Sequence, residues 1–472
     1  MPTFAGKQFN SEVYAKYVDR DDIVRNDPKT EILSSNAVSE CQIAEQAINA
    51  GSGLSYVVVP FNGTTHMDYI LNDGETDITA EEAGTFSCGK AIFTPSKGWK
   101  ERDFANLIGS ANFFERMAVD HRHWEDNMKV MCALAIAKGI FLMDTTSGSD
   151  IQKAANANFI KSHTYDIAKG SSPNVDVTTL TDAVTKACGE HAELFTVCFM
   201  HSTVANNLFK QKLLNFLKYT DEKGVERSTN IAEWNGRTVY VTDSVPNKYV
   251  AAASAVTEVL GVKTITIAGT PAVGDIITVN SKRYSIVNTK HTEFELEIGS
   301  GTATAIATAL EKALKADDEF SSMYTISRDA AVITVTEIKG GYGFISSTAN
   351  GGTTVTVAET KAGVEGVAAY NAHREYTTFV LGHGIIELSN AQPPNKRYVP
   401  DYDPKKDGGT NYLYGWMKIV FGADGISFRN QNKKTYDLTD ISKEGAWEIP
   451  VSTNGLPVNL KRLPIVQIIS QG

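Results

Sequence analysis

The sequence predicts an α+β protein in which several sheets gather on one long helix and a second, smaller domain is spliced into the middle. Three observations predict it. Residues 237–250 (RTVYVTDSVPNKYV) read as a buried strand and turn, and 375–388 (EYTTFVLGHGIIEL) as another strand pair. Between them, residues 254–366 change composition: no Cys, no Trp and a single Pro, Pro271, in a dense run of Thr, Val, Ile and Ala. Finally, apolar residues recur at helical spacing from 112 to about 142. With 254–366 removed, the flanks would join as neighbouring strands of one sheet. A loop tip tolerates such an insertion because little else depends on it.

At 472 residues the chain is long enough for two to four domains. Its 42% apolar and 21% charged content is that of a globular protein rather than a disordered or fibrous one. The net charge of −10 argues against a dedicated nucleic-acid binder, and the basic spots are only pairs: Lys405 with Lys406, Lys433 with Lys434, Lys461 with Arg462. The five cysteines, Cys41, Cys88, Cys132, Cys188 and Cys198, form no CxxC motif and read as buried free thiols. The N-terminus shows no signal-peptide pattern, and the apolar run 130–143 is too short to span a membrane and contains Lys138. Synthesis in the cytoplasm is expected.

Along the chain, 1–36 reads as a polar arm. Residues 36–50 form a short helix with Ala37, Cys41, Ala44 and Ile48 on one face, and 54–61 (LSYVVVPF) a strand. Residues 62–100 alternate apolar segments with acidic ones (Asp68, Asp73, Glu75, Asp77, Glu81, Glu82). They hold little apolar mass, so they predict a two-stranded excursion that finds its partner elsewhere. The long helix places Phe113, Met117, Trp124, Met128, Met131, Ala135 and Leu142 on one face, with His121. Glu115, Arg116, Asp120, Arg122, Asp126 and Lys129 fall on the other. At 1.5 Å per residue it is a spine of roughly 45 Å. A helix over 178–189 follows, then a strand and a helix in 195–217 with Ser202 as N-cap, then a turn into the strand of WNGRTVYVTDSVP. The 254–366 segment reads β-β-β-α-β-β-β: strands 262–267, 275–279 and 283–286, a helix over 302–315, and strands 324–327, 332–337 and 353–357. Strands at 416–421, 426–428 and 465–469 close the chain.

No constellation reads as an active, cofactor or metal site. His121 and His123 are two helix positions apart, so they point about 200° from one another and share no metal. His121 reads as a packed core histidine. Asp401, Tyr402, Asp403, Asp407 and Gly408 suggest a calcium loop, but Tyr412 stands at the twelfth position and Pro404 interrupts it. Gly340, Gly341, Tyr342 and Gly343 lie between strands with no following Lys-Ser/Thr, so they form no phosphate loop. His201 beside Ser202, and His383 between two glycines, lack a nucleophile–base geometry. The expectation is a non-enzyme.

The order of parts resembles the major capsid protein of tailed bacteriophages, with the Hong Kong 97-type fold. The stretches that carry the resemblance are FFERMAVDHRHWEDNMKVMCALAIAKGIFL, FTVCFMHSTVANNLFKQ, WNGRTVYVTDSVP and YTTFVLGHGIIEL. The last two are similar to GR-x-V-x-V-x-D-x-x-P and Y-x-x-x-x-x-G-x-G-A patterns of one branch, with Ile385 where Ala is common. The resemblance covers most of 1–253 and 367–472. It implies an N-terminal arm and first strand (1–60), an extended E-loop (61–105), and a peripheral domain with the spine helix (106–179, completed by 426–472). It implies an axial domain in two parts (180–253 and 367–425) carrying the inserted domain (254–366). It also implies self-assembly as hexamers and pentamers of an icosahedral virion shell in the host bacterial cytoplasm, with a scaffolding protein, portal, possible decoration protein and weak, non-specific contact with packaged DNA as partners. A separate scaffold is expected because the arm begins near Met1. No cofactor and no membrane partner are expected. An encapsulin-type compartment shell, a virion surface or tail binding protein, and a hydrolase using His201 or His383 are the alternatives.

Overall fold

The computed structural model describes residues 3–4, 7–8, 33, 35–50, 55–61, 85–102, 113–170, 172–220, 226–280, 282–343, 345, 347–391, 397–406, 409–452 and 457–472, with backbone alone over 3–4, 7–8, 113–119, 216–220 and 226–231. Most of the expected arm, the acidic residues between 62 and 84, and Asp407 and Gly408 lie outside the described residues.

The spine helix runs Phe113–Ile140. Its C-terminal half is buried almost all round: Val130, Cys132, Ala133, Ile136, Ala137 and Ile140 are at most 1% exposed. The expected apolar face is corrected here. Met131 is 45% and Leu142 39% exposed, whereas Glu125 and Asp126 are buried. The inward stripe is turned by about one position, because charged residues on the helix find partners inside. Glu125 accepts from Arg397 Nε at 3.0 Å and Tyr398 Oη at 2.6 Å. Asp126 pairs with Arg122 at 3.2 Å.

Two sheets close over this helix. The first has eight strands, in the order Thr164–Asp166, Ile465–Ser470, His373–Gly382, Phe195–Met200, Arg237–Val241, Glu226–Trp234, Asn215–Thr220, with Asn247–Val250 also paired to His373–Gly382. Alternation sorts its two faces. Val197, Phe199, Phe379 and Leu381 join the spine's core. Cys198, Val380, Val466 and Val239 pack under helices Thr179–Cys188 and Ser202–Lys210. The Asn235–Gly236 turn has φ of 49° and 76°, the left-handed pair that a two-residue hairpin needs. Arg237 then donates to Phe195 O at 3.2 Å and Ala192 O at 3.0 Å, tying that hairpin to the start of the neighbouring strand.

The second sheet has five strands: Val38–Ser39, Ile386–Asn390, Ile419–Ala423, Phe86–Phe93 and Tyr56–Phe61. Ala91, Phe93 and Phe421 face the spine. Val59, Ile92 and Val420 face helix Gln42–Ala50 through Ala44 and Ile48. The reading of 62–100 as a coreless excursion is therefore corrected for its second half. Phe86–Phe93 is a buried inner strand, and Ser96–Arg102 joins Thr410–Trp416 and Tyr398–Asp403 in a three-stranded sheet. The partners on their other side, Ile419–Ala423 and Thr410–Trp416, lie more than three hundred residues along the chain, where local pattern gives no sign of them. The sheets also cut across the expected domain limits. Ile465–Ser470, placed with the peripheral part, pairs with His373–Gly382, and Ile386–Asn390 and Ile419–Ala423, placed with the axial part, pair into the sheet of Phe86–Phe93.

Residues 262–361 form two four-stranded sheets on helix Ala303–Ala316. They hold their own apolar core, including Ile265, Ile277, Ile286, Leu310, Ile333 and Val335. Short strands Glu295–Glu297 and Ser347–Ala349 and helix Asp318–Met323 add to the elements expected there. Asn247–Val250 pairs antiparallel with His373–Gly382, from Asn247↔Tyr376 to Val250↔His373. Beyond that pair the two chains continue as a ribbon bridged at Ala253↔Tyr370, Val256↔Val367 and Val259↔Val364.

Gly139 tests the fit of the spine. A Cβ there would stand 2.3 Å from Ile441 O and 2.6 Å from Trp447 Nε1, inside the hydrogen bond that joins those two groups. Gly139→Ala gains about 1 kcal/mol of helix propensity. It loses more by pushing on backbone that no rotamer can move, so a net destabilisation of about 1–3 kcal/mol is expected. Urea unfolding measures it, and an unchanged midpoint would show that the helix end does not press on that loop.

Candidate functional site

The polar residues singled out above resolve into structural fasteners. His121 is fully buried. Its ring lies 3.8 Å from the Trp99 ring and stacks on Tyr398 at 5.1 Å and 11°. Burial, with Lys97 and Arg397 nearby, lowers its pKa to about 3, so it is neutral at pH 7. With Glu125, Arg397 and Tyr398 it locks the three-stranded sheet to the spine. His123 does not share that environment. It lines an open groove of about 970 Å³ with Trp99, Trp124, Met128 and Met131.

His201, not Ser202, caps helix Ser202–Lys210, which corrects the expected N-cap. Its Nδ1 accepts the Thr203 N–H at 3.1 Å. The lone pair that a serine base would use is thus engaged, and Ser202 Oγ stands 3.5 Å off. Nε2 faces Asp243 at 3.5 Å, and the ring packs on Tyr376 at 4.6 Å. Three residue types of a hydrolytic triad are close together, in an arrangement that serves a helix end. His383 is exposed in its turn. Among the described residues no group of three or more His, Cys, Asp or Glu side chains could hold a metal ion, and no helix is long and apolar enough to cross a membrane. The five cysteines are free. Burial pushes Cys88, Cys188 and Cys198 up to about 12, which leaves them unreactive thiols.

The glycine-rich loop does cradle an anion, and the anion is internal. Buried Glu337 accepts from Gly341 N at 2.8 Å, Gly343 N at 3.1 Å and Gly261 N at 3.1 Å. Three backbone donors satisfy a carboxylate that would otherwise be costly to bury. Lys161, from helix Asp150–His163, donates to Gly341 O and stands 4.2 Å over the Tyr342 ring. Burial lowers that lysine's pKa to about 8. In this loop residues 262–361 touch helix Asp150–His163.

A second buried charge pair crosses the five-stranded sheet. Lys90 and Glu387 meet over Gly422, on the strand between theirs. A Cβ on Gly422 would stand 3.0 Å from Lys90 Cγ and Cδ and 3.1 Å from Glu387 Oε2, so the missing side chain is what lets the pair close. Neither Lys90 nor Glu387 stands out in the local sequence. The hint available was a Gly in a strand interior, which marks a close approach.

No family model matches the sequence, and no curated protein matches it. Among solved structures the chain is similar to the capsid of Ralstonia phage GP4, at 8% identity over 99% of this chain and 95% of that one, with a TM-score of 0.40. It is similar to the head structure of Helicobacter pylori bacteriophage KHP40, at 10% identity over 92% and 88%, with a TM-score of 0.37. It is also similar to the capsid of cyanophage Pam1, at 9% identity over 95% and 93%, with a TM-score of 0.39. The functional reading below rests on this chain's own geometry.

Lys90→Met leaves the Glu387 carboxylate buried and alone, and a loss of about 3–5 kcal/mol is expected. The double change Lys90→Met, Glu387→Met should recover most of it, because two thioethers need no partner. Denaturant unfolding of the three proteins measures the coupling, and additive losses would show that the two groups do not pair.

Acid should act through His121 and through His163, whose pKa burial lowers to about 4. The unfolded chain takes up these protons near pH 6.5, while the folded chain resists until about 3–4. Stability is thus lost as pH falls through that window. His121→Phe removes one such group. From pH 7 to 4.5 it should spare up to about 2.7 kcal/mol, two units below 6.5 at 1.36 kcal/mol each. Unfolding curves at both pH values measure it, and an unchanged pH dependence would show that His121 already titrates normally when folded.

Proposed function

We propose that the chain is a major capsid protein that self-assembles into the icosahedral head shell of a tailed bacteriophage and encloses its DNA. One observation carries this reading. Phe61 pairs with Phe86, so the strands on either side of residues 62–85 end side by side in a sheet that lies on the spine helix. Two paired strands of this kind are the anchor that an E-loop reaching a neighbouring subunit requires. In this reading 61–105 is the E-loop. The eight-stranded sheet with its two covering helices supports an axial domain, and the spine with its sheets a peripheral one.

Residues 254–366 are then an inserted domain on the axial part, carried by the ribbon that follows Val250↔His373. The self-contained core of 262–361 favours this. The chain's buried polar groups act as fasteners, which fits a structural rather than an enzymatic role. Scaffolding protein, portal and decoration partners, assembly in the host cytoplasm and weak contact with DNA belong to the same proposal. A shell closes many modest contacts at once, so each of them can be weak on its own.

Sedimentation and negative-stain electron microscopy of the chain, expressed alone and with its neighbouring genes, test the reading. Closed shells, tubes or ring-shaped capsomers are expected. A stable monomer in every condition would overturn it.

A further inference from the structure

We propose that the solvent face of the three-stranded sheet is a docking surface for a second copy of this chain, related by a two-fold axis parallel to strand Thr410–Trp416. The role of that contact in a shell rests on the reading above, but its geometry does not. Residues directly opposite in an antiparallel pair share a face. The register therefore lays Asp403, Thr410 and Arg102 in one row, Asp401, Tyr412 and Lys100 in the next, and Val399, Tyr414 and Gly98 in a third, with Trp416 beside Ser96 beyond them. The opposite face, through Tyr398 and Leu413, is buried on the spine.

The outward face has an aromatic ridge. Tyr412 and Tyr414 stack at 6.3 Å and 5°, and Tyr414 and Trp416 lie 6.2 Å apart at 34°. Tyr414 remains 38% exposed. Its ring lies along Gly98, where a Cβ would stand 3.1 Å from two ring carbons. Three aromatic rings aligned on one face of a strand, half-buried at Tyr412 and Trp416 and exposed at Tyr414, are typical of an interface core, where Tyr and Trp dominate the energetics.

Charge on either side of the ridge selects the occupant. One edge strand presents exposed Asp401 with Asp403, and the other presents exposed Lys100. A copy turned half a revolution about an axis along the ridge sets its Lys100 over the first copy's Asp401 and its Asp401 over the first copy's Lys100. The aromatic ridge then meets itself. An axis across the strands would set Lys100 on Lys100. A nucleic acid stacked on the rings would run beside Asp401 and Asp403, which a polyphosphate disfavours.

The test uses the full chain. Tyr414→Cys lies near the axis, so mild oxidation should give a disulfide-linked dimer on a non-reducing gel above the background of the unsubstituted chain. Lys100→Asp and Asp401→Lys should each reduce this cross-link and the association seen by sedimentation velocity by about tenfold or more, and the two together should restore both. Absence of the cross-link overturns the proposal. So does a doubly reversed chain that is folded by circular dichroism yet associates no better than the single changes. Retention of single-stranded DNA that Tyr414→Ala abolishes, with no cross-link, also overturns it and gives the face to nucleic acid. Cross-linked dimers from a chain that never builds shells would keep this surface and overturn the capsid reading. Shells from a chain that never cross-links would do the reverse.

Discussion

The burial of the spine helix's C-terminal half is the constraint on which the rest depends. A helix apolar on nearly every side cannot lie on one sheet; it must be enclosed. The enclosure comes from segments far apart in sequence. Phe86 and Phe93 come from one end of the chain, Phe379 and Leu381 from beyond the 262–361 unit, and Phe421, Phe428, Tyr436 and Trp447 from the other end. Phe428 stands edge-on to both Tyr436 and Trp447, at 5.0 and 5.1 Å, so the last wall is an aromatic lattice rather than a layer of aliphatics. Closing such long loops costs entropy before any contact forms, and so the interior contacts must be numerous and cooperative.

That constraint explains what the sequence made legible and what it did not. The spine, the strand–helix–strand run and the helix of the 262–361 unit were legible because each is a local pattern of apolar spacing. The inward stripe was misplaced because Asp126 counted as solvent-facing and no local signal marks the burial of its neighbour Glu125. Its partners Arg397 and Tyr398 are 272 and 273 residues away, and no local rule connects them. The same distance hid the role of Phe86–Phe93. It looked like half of a poor hairpin, and it is an inner strand completed by Ile419–Ala423. His201 escaped notice as a cap because serine is the commoner capping type and follows immediately. His121 was legible, since a histidine on an apolar helix face is usually packed, as it is here between Trp99 and Tyr398.

The ribbon that carries residues 262–361 had a visible signal of an unfamiliar period. Ala253, Val256 and Val259 face Val364, Val367 and Tyr370, each pair exchanging both backbone hydrogen bonds at 2.8–3.1 Å. In a regular antiparallel ladder such pairs recur every two residues. Here they recur every three on both strands, a spacing that neither the strand nor the helix template detects. The ribbon is thin and exposed, with Val256 at 46% and Val364 at 40%, so little burial stiffens it. An isolated two-stranded ribbon is marginal in water. The contact of Lys161 with Gly341 and Tyr342 is therefore what ties the 262–361 unit down at a second point. The glycines that resemble a phosphate loop serve that tie, since their amides hold Glu337 and their carbonyls receive the lysines.

The distribution of charge separates the inside of this molecule from its outward faces. Three buried carboxylates are engaged within the fold: Glu125 by Arg397 and Tyr398, Glu337 by three backbone amides, Glu387 by Lys90. Pairs of this kind add little net stability over apolar residues of the same size. They do penalise any arrangement that separates them, which favours one register of sheet on helix over its neighbours. On the outward three-stranded face the opposite holds. Asp401 and Lys100 flank Tyr412 on separate strands, two strand spacings or roughly 10 Å apart across the ridge. Unlike charges kept apart on one rigid face cost nothing in water and become complementary only when a second such face arrives.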